Sequence, residues 1–312
     1  MSTQRAGALR LAFLLSWTAL WPLAAQAQSV PAQSAVRAQP ASQFGEQLAV
    51  QDSIYRLQGR QLPPGYTIDR SLFTYVDTLP PEFGAVLSAL GPEDRWLDIG
   101  TGQGRAILDY YTPERDLSEA EEQAWAGRRA NAVGISIEDR RTPRWHIKAN
   151  SLKAGKIRYL AGKRLREYAK GELGQFQVIT DVGGGFTYTH QLSLFTETAL
   201  SLLARDGSFF TILQNVRSED GANQPAYPGS PFLTAIEGTD GAEVRICEWL
   251  KSIRCVNVQC QFRKDWNPAV EVYRIHKTCD DVKVPPLTPV QYDPGTPPQR
   301  RFQMGEIREA RE

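Results

Sequence analysis

The chain has 312 residues, enough for one large α/β domain or two small ones with a core of their own. Its 36 lysines and arginines almost balance its 35 aspartates and glutamates, which leaves a formal net charge of +1 at pH 7. This balance offers no basic surplus for binding nucleic acid, so we expect no nucleic-acid partner.

The first residues have the pattern of a secretory signal peptide. Arg5 and Arg10 form a basic start, Leu11 to Leu23 is an apolar run broken by Pro22, and Ala25-Gln26-Ala27 is a small-x-small cleavage signal. We therefore predict a signal peptide over residues 1–27, cut after Ala27, and a periplasmic or secreted mature protein. The run is shorter than the roughly 20 apolar residues of a spanning helix, so no stable membrane anchor is expected after cleavage. An uncleaved anchor is the minor alternative.

A linker and then the folded domain follow the signal segment. Residues 28–45 are rich in Ala, Ser, Gln and Pro and are predicted to be a disordered linker. The domain is expected over 46–283. Just before its first strand, residues 66–75 are compatible with an amphipathic helix packed on the sheet edge; the alternative, a lid, is implied only by the family resemblance described below.

Strand and helix patterns then alternate along the chain, which predicts a mainly parallel sheet covered on both faces. The predicted strands are Arg95–Ile99, Ala132–Ile137, Ile157–Ala161, Phe176–Asp181 and Ser208–Leu213. Helices are expected over 104–111 and, from a capping box at Ser118, over 118–129. An antiparallel hairpin of 254–263 and 269–277 should close the sheet around Trp266-Asn267-Pro268.

A glycine-rich turn links the first strand to the first helix after it. Asp98, Gly100, Gly102 and Gly104 give the pattern Asp-x-Gly-x-Gly-x-Gly. Alternating glycines let a ligand approach the main chain, while the helix aims unpaired N–H groups at it. A nicotinamide dinucleotide turn would need Gly-x-Gly-x-x-Gly, and its third glycine falls on Arg105.

The motif and the alternation of elements resemble the class I S-adenosylmethionine (SAM) dependent methyltransferases. The resemblance implies a Rossmann-like α/β fold with a C-terminal antiparallel hairpin, and SAM as the cofactor. It also implies that Asp98 fixes the methionine amino group and that Gly100, Thr101, Gly102 and Gly104 lie against the cofactor.

The ends of the second and third strands depart from the family pattern. Ser136 stands where the family usually has an acid for the ribose hydroxyls, with Glu138 two residues later. The resemblance implies that these two residues share that role, and a helix N-cap at either position is the equal alternative. Lys163 stands where the family commonly has an acid for the adenine amino group, and a lysine cannot accept that hydrogen bond.

The segment after the fourth strand is the predicted acceptor side. Asp181 and His190 are the candidate catalytic bases, and Phe186 and Tyr188 are the candidate substrate contacts, together with Tyr75. A histidine that only makes a structural hydrogen bond is an alternative for His190. The segment lacks the Asn/Asp-Pro-Pro-Tyr/Phe signature and no Pro-Cys pair occurs, so methylation of nucleic-acid bases is disfavoured.

Two function classes remain open. The first is an exported SAM-dependent methyltransferase acting on a small molecule or an envelope component by in-line displacement. The second is a catalytically inactive methyltransferase-like domain that binds a ligand or a protein partner. Export favours the second, because SAM is made in the cytoplasm, and the complete glycine motif favours the first.

Four cysteines lie in the last quarter of the chain, and in an exported protein they favour disulfides over zinc or free thiols. A turn centred on Asn267 places residues whose numbers sum to about 534 opposite each other, so Cys255 faces Cys279. Cys260 then faces Arg274, and Cys247 is its only available partner.

Two charged or proline-rich segments are predicted to be surface features. The run Lys163–Glu167 reads most simply as a solvated helix face. Residues 284–312 begin with a stretch rich in proline and are expected to form an extended tail, with a short helix near Met304–Arg311.

Overall fold

The computed structural model describes residues 70–112, 130–152, 156–214, 233–265, 270–293 and 299–306. The predicted signal peptide, the linker, the helix from Ser118 and the hairpin turn at 266–268 lie outside these residues.

Eleven strands and seven α-helices are present in the described part of the chain. The strands are β1 (Arg95–Ile99), β2 (Asn131–Ser136), β3 (Ile157–Ala161), β4 (Phe176–Asp181), β5 (Leu203–Gln214), β6 (Leu233–Glu237), β7 (Glu243–Val244), β8 (Val256–Arg263), β9 (Val270–Lys277), β10 (Leu287–Asp293) and β11 (Gln299–Met304). The helices are α1 (Leu72–Thr78), α2 (Glu82–Ser88), α3 (Arg105–Tyr111), α4 (Pro143–Asn150), α5 (Gly185–Tyr188), α6 (Leu192–Leu202) and α7 (Ile246–Lys251). Within the described ranges, no helix is long and apolar enough to cross a membrane.

The main sheet has seven strands in the order β3-β2-β1-β4-β5-β9-β8. The first five are parallel, and β9 runs antiparallel to both β5 and β8. This arrangement confirms the predicted fold, a Rossmann-like, mostly parallel sheet that ends in an antiparallel hairpin. The strand order changes direction between β1 and β4, so the loops after these two strands diverge and leave a crevice at the carboxyl edge.

Side chains alternate between the two faces of the sheet, and helices cover both. Trp96 packs on the face covered by α1, α2 and α3, whereas Leu97 and Ile99 pack on the face covered by α6 and α7. Asp98 therefore points to the same face as Trp96, towards α1. This orientation decides which residues surround its carboxylate.

The C-terminal hairpin carries both disulfides. Val256 pairs with Lys277 and Arg263 with Val270, so the register is one residue away from the predicted one, and Cys260 lies opposite Tyr273 rather than Arg274. The predicted bonds Cys255–Cys279 and Cys247–Cys260 are both present. All four sulfur atoms are thus oxidised, and the zinc and free-thiol alternatives are wrong.

The proline-rich C-terminal segment is not an extended tail where the structure describes it. It supplies β10 and β11, which join β6 and β7 in a second sheet of order β10-β11-β6-β7. Proline lacks an N–H donor, and Pro289 is accommodated because β10 is an edge strand whose pairing shifts between Pro289 and Gln291. Buried Leu287 and Phe302 then attach this sheet to the core beside α6.

Candidate functional site

Two glycine turns meet at the carboxyl edge of the main sheet, one after β1 and one after β4. Gly100, Gly102 and Gly183 have φ values of 70°, 57° and 68°, a conformation that favours glycine. A Cβ on Gly100 would lie 2.8 Å from the Cα atom of Gly184. The two turns are therefore in backbone contact, and a side chain between them would push them apart.

Gly104 of the motif and Thr101 within it have packing roles. Gly104 has a φ of 77° and precedes α3, and a Cβ there would lie 2.6 Å from the indole nitrogen of Trp145. Thr101 is buried, and its Cγ2 would be 2.8 Å from a Cβ on Gly134. Neither residue lines the cavity described next, and their contacts with a cofactor stay predictions.

A cavity of about 320 Å³ opens where the two turns meet. Six of the predicted site residues line it: Gly100, Gly102, Ser136, Glu138, Tyr188 and His190. They come from the end of β2 and from the segments that follow β1, β2 and β4, which are separate in sequence and converge at this edge. Apolar side chains complete the walls, namely Ile99, Ile135, Ile137, Leu165, Leu194 and Phe195.

Asp98 is buried beneath the cavity and does not line it. The Tyr75 hydroxyl donates to its Oδ1 and Oδ2 at 3.1 and 3.3 Å, and the Thr180 hydroxyl donates to Oδ1 at 2.7 Å. Burial raises the pKa of Asp98 to about 6, against the opposing effect of these hydrogen bonds. Tyr75 is buried as well; it bonds Asp98 and does not line the cavity, and the substrate contact predicted for it stays a prediction.

Asp181, a predicted catalytic base, organises the second glycine turn. Its Oδ1 accepts the Gly184 N–H at 2.8 Å, and its Oδ2 accepts the Phe186 N–H at 3.0 Å. Burial raises its pKa to about 7. Because both oxygens point into the turn and the residue is fully buried, Asp181 is not placed to take a proton from a substrate. His190 is the predicted base that does line the cavity.

Phe186 belongs to the core and not to the acceptor side. It is fully buried, and its ring centroid lies 5.9 Å from that of Tyr273. The short helix α5 turns every side chain through about 100°, so Phe186 and Tyr188 face different ways. Tyr188 therefore lines the cavity and Phe186 does not, and the substrate contacts predicted for both stay predictions.

The buried Arg300 side chain on β11 holds the backbone of residues 186–189, in the segment after β4. It donates to the carbonyl oxygens of Phe186, at 2.9 Å, and of Thr189, and to the Thr234 hydroxyl at 2.8 Å. The second sheet thus holds the backbone on either side of Tyr188. No sequence pattern indicates this contact, because the proline-rich composition of 284–312 predicts an extended tail.

Arg70 is a cavity residue that the motif did not reveal. Its Nη1 donates to the Val182 carbonyl at 2.9 Å, and a Cβ on Gly183 would lie 2.7 Å from its Nη2. Its positive charge also opposes the rise in the pKa of Asp98. The only signal was its position in the segment 66–75, just before the first strand.

Further cations reach the cavity from the loops after β2 and β3. Arg140, Lys163, Arg164 and Arg166 line it. The run Lys163–Glu167 is not the predicted helix face; it contains a single 3₁₀ turn over Leu165–Glu167, with Leu165 buried. This turn directs the charged side chains on either side of Leu165 towards the cavity mouth.

Comparison with known proteins finds no matching family model and no curated relative. Solved structures that resemble the chain include a geranyl diphosphate methyltransferase in complex with GPP and sinefungin, with 14% identity over 43% of each chain and a TM-score of 0.29. An O-methyltransferase family protein from Burkholderia thailandensis is 12% identical over 67% of this chain and 58% of its own, with a TM-score of 0.40. The plantazolicin methyltransferase BpumL in complex with SAH is 12% identical over 74% of this chain and 100% of its own, with a TM-score of 0.37. The match thus spans less than two thirds of the first two of these structures.

Proposed function

We propose that the protein is a SAM-dependent methyltransferase that acts outside the cytoplasm on a small molecule or an envelope component. The observation that carries the proposal is the cavity between the glycine turns that follow β1 and β4. In open α/β sheets, ligands bind at the carboxyl edge where the strand order reverses, and this cavity lies at that point.

The cavity residues are chemically suited to a nucleoside-containing cofactor. Gly100 and Gly102 expose backbone that a ligand can approach closely, and Ser136 and Glu138 offer a hydroxyl and a carboxylate for ribose hydroxyls. The apolar walls suit a planar base. Lys163 cannot accept from an adenine amino group, so recognition of that group would fall to backbone carbonyls.

SAM supplies an electrophilic methyl group on a sulfonium when it is bound. The residues of the chain then have two tasks: to align the acceptor and to take up its proton. Tyr188 and His190 lie on the cavity wall at the predicted acceptor side, and neutral His190 can accept a proton from an acceptor hydroxyl or amine. The carboxylates of Asp98 and Asp181 act indirectly, by holding the first strand end and the second glycine turn.

Calorimetric titration of the mature protein with SAM and S-adenosylhomocysteine tests the proposal. We expect binding, and its loss in Gly102→Val, because a branched side chain at a φ of 57° would strain the turn and enter the cavity. Gly171→Ala is the control, since Gly171 also has a positive φ but does not line the cavity. No binding to wild type at millimolar ligand would refute the proposal.

A ligand-binding protein without catalysis is the second candidate. The two disulfides favour it, because disulfides persist in oxidising compartments and SAM is made in the cytoplasm. Incubation with methyl-labelled SAM and cell-envelope extracts separates the two functions. Label that appears in an acceptor with wild type and not with His190→Ala supports the enzyme, whereas binding without any transfer supports the second candidate.

Export is part of the same proposal. The signal segment predicts a mature N-terminus near Gln28 outside the cytoplasm. Cell fractionation followed by N-terminal sequencing measures both. A soluble cytoplasmic protein that retains Met1 would contradict export and remove the main argument for the second candidate.

A further inference from the structure

The hydroxyl group of Tyr159 on β3 connects two segments that carry cavity residues. It donates to the carbonyl oxygen of Gly102 in the glycine turn at 2.5 Å, and it shares its hydrogen with the carbonyl oxygen of Glu138 at 3.2 Å. The backbone N–H of Arg140 donates to the same hydroxyl at 3.5 Å. Gly102, Glu138 and Arg140 line the cavity, whereas Tyr159 does not. One side chain outside the cavity thus links the segments after β1 and β2.

Strand pairing does not set the distance between these two segments. The last paired residues of β1 and β2 are Ile99 and Ile135. Gly102 and Glu138 both lie beyond this pair, where each chain has left the sheet and turns towards a different element. The bonds of the Tyr159 hydroxyl therefore hold together two pieces of backbone that the sheet leaves independent.

The ring of Tyr159 is itself held on several sides. Its centroid lies 5.7 Å from that of Trp145 in an edge-to-face contact, and the Arg141 guanidinium lies 5.0 Å from its centroid. Asp139 in turn holds that guanidinium with hydrogen bonds of 2.9 and 2.6 Å. A Cβ on Gly104 would lie 3.3 Å from the Tyr159 Cδ2 atom. Packing of this kind keeps a side chain in one rotamer, so the hydroxyl has a fixed position.

The hydroxyl remains a hydrogen-bond donor at neutral pH. Burial raises the pKa of Tyr159, against the opposing effect of a hydrogen bond with the Ser136 side chain. Since tyrosine in water ionises only near pH ~10, the group stays protonated. Ser136 also lines the cavity, so the bonds of Tyr159 reach both of the residues that we assign to the ribose hydroxyls, Ser136 and Glu138.

We propose that Tyr159 is a positioning residue for the cofactor, whose hydroxyl sets the distance between the glycine turn at Gly102 and the ribose side at Ser136 and Glu138. The inference rests on the proposed function. A ligand that spans both segments benefits from both only if they are held at the right distance, because any freedom between them must be lost on binding. With the Tyr159 bonds in place, the two segments are ordered before the ligand arrives.

Tyr159→Phe removes the hydroxyl and keeps the ring and its packing. We expect S-adenosylhomocysteine, titrated calorimetrically into the mature protein, to bind this variant about three- to ten-fold more weakly than wild type, which is the effect of one lost hydrogen bond. Adenosine lacks the part that reaches the glycine turn, so its binding should weaken by less than about two-fold. A purely structural role would weaken both ligands by the same factor, or would lower the binding stoichiometry and leave the affinity unchanged.

Tyr111→Phe is the matched control. The Tyr111 hydroxyl also bridges two backbone carbonyl oxygens, those of Ala130 and, at 3.0 Å, of Lys156. These residues directly precede β2 and β3, so this bridge lies at the edge of the sheet opposite the cavity. We expect Tyr111→Phe to bind both ligands as wild type does.

The titrations separate failure of this inference from failure of the proposed function. If wild type binds S-adenosylhomocysteine, the positioning role is refuted by equal binding to Tyr159→Phe, by an equal loss for both ligands, or by the same loss in Tyr111→Phe. The methyltransferase proposal is unaffected by any of these results.

If wild type binds neither ligand, the methyltransferase proposal fails, and hydrogen exchange of the ligand-free protein decides whether Tyr159 links the two segments. Faster exchange over 100–104 and 136–141 in Tyr159→Phe than in Tyr111→Phe supports the link. Equal exchange in the two variants refutes it.

Discussion

The contact between the two glycine turns gives a quantitative prediction for Gly100→Ala. An L-residue at a φ of 70° costs about 1–2 kcal/mol relative to glycine. The added Cβ would also lie 2.8 Å from the Gly184 Cα, well inside the normal carbon–carbon separation, and such overpacking costs about 1–3 kcal/mol. We expect a total loss of about 2–5 kcal/mol of unfolding free energy.

Gly171→Ala isolates the backbone part of this cost. Gly171 has a φ of 84°, and a Cβ there would have no neighbour within 4 Å, so only the cost of about 1–2 kcal/mol applies. For a domain of this size, the remaining difference of about 1–3 kcal/mol corresponds to a melting temperature roughly 2–12 °C lower for Gly100→Ala than for Gly171→Ala. Calorimetry without ligand measures both variants. Equal melting temperatures would refute the close contact between the turns.

Three further perturbations test the hairpin, the buried carboxylates and the second sheet. Replacing Cys255 and Cys279 by alanine removes a disulfide with a sequence separation of 24 and should lower the unfolding free energy by about 3 kcal/mol in the chain-entropy model. An unchanged melting temperature, or peptide mapping that finds other partners, would contradict the pairing. Burial raises the pKa values of Asp98 and Asp181 above those of the unfolded chain, so their protonated forms favour folding below pH 4 and this stabilisation is lost as the pH rises through about 6 to 7. Asp181→Asn should therefore lower the dependence of the melting temperature on pH between 5 and 8, and the same dependence as wild type would show that Asp181 is ionised throughout. Arg300→Met leaves two backbone carbonyls without a charged donor and should lower the unfolding free energy by about 2–4 kcal/mol. A loss below about 1 kcal/mol, or unchanged hydrogen exchange over 185–190, would show that the arginine is not needed to hold this segment.

The central strands could be predicted from the sequence because each is a short apolar run between turn residues. The bounds of β1, β3 and β4 agree with the prediction, and β2 differs by one residue at each end. β5 is longer than predicted and begins at Leu203. Asp206 within it has a φ of 63°, so the strand contains an irregularity that an apolar pattern does not indicate.

The second sheet could not be predicted because its edge strand contains proline. Pro289 lowers the strand propensity of 287–293, and the partner β11 has four polar residues beside Phe302 and Met304. What stabilises these strands is contact with distant parts of the chain: β11 pairs in parallel with β6, and Arg300 bonds the loop after β4. Neither partner is adjacent in sequence, so no local pattern records the pairing.

The sequence did not predict which way the side chain of each site residue points. Asp98 follows Trp96 by two residues and pairs in register with Thr180 on β4, so it shares the face that α1 covers and meets Tyr75. The predicted contacts, of Asp98 with the methionine amino group and of Tyr75 with substrate, require that α1 leave the Asp98 carboxylate accessible to a ligand. That depends on how a helix packs, which the motif does not specify.

The glycines of the motif are needed for two separate reasons. One is the conformation and packing of the turn, and the other is close approach of a ligand. Gly104 is required by its φ of 77° and by the indole of Trp145, and a turn with no ligand at all would need it equally. Gly100 and Gly102 line the cavity, yet Gly100 is also required by its contact with Gly184. The motif is therefore stronger evidence for the turn than for the cofactor. Ser136 and Glu138 are stronger evidence for a cofactor. They lie at the end of β2 and just after it, and they line the same cavity as the glycines. The glycine turn needs no polar side chain at either position in order to form.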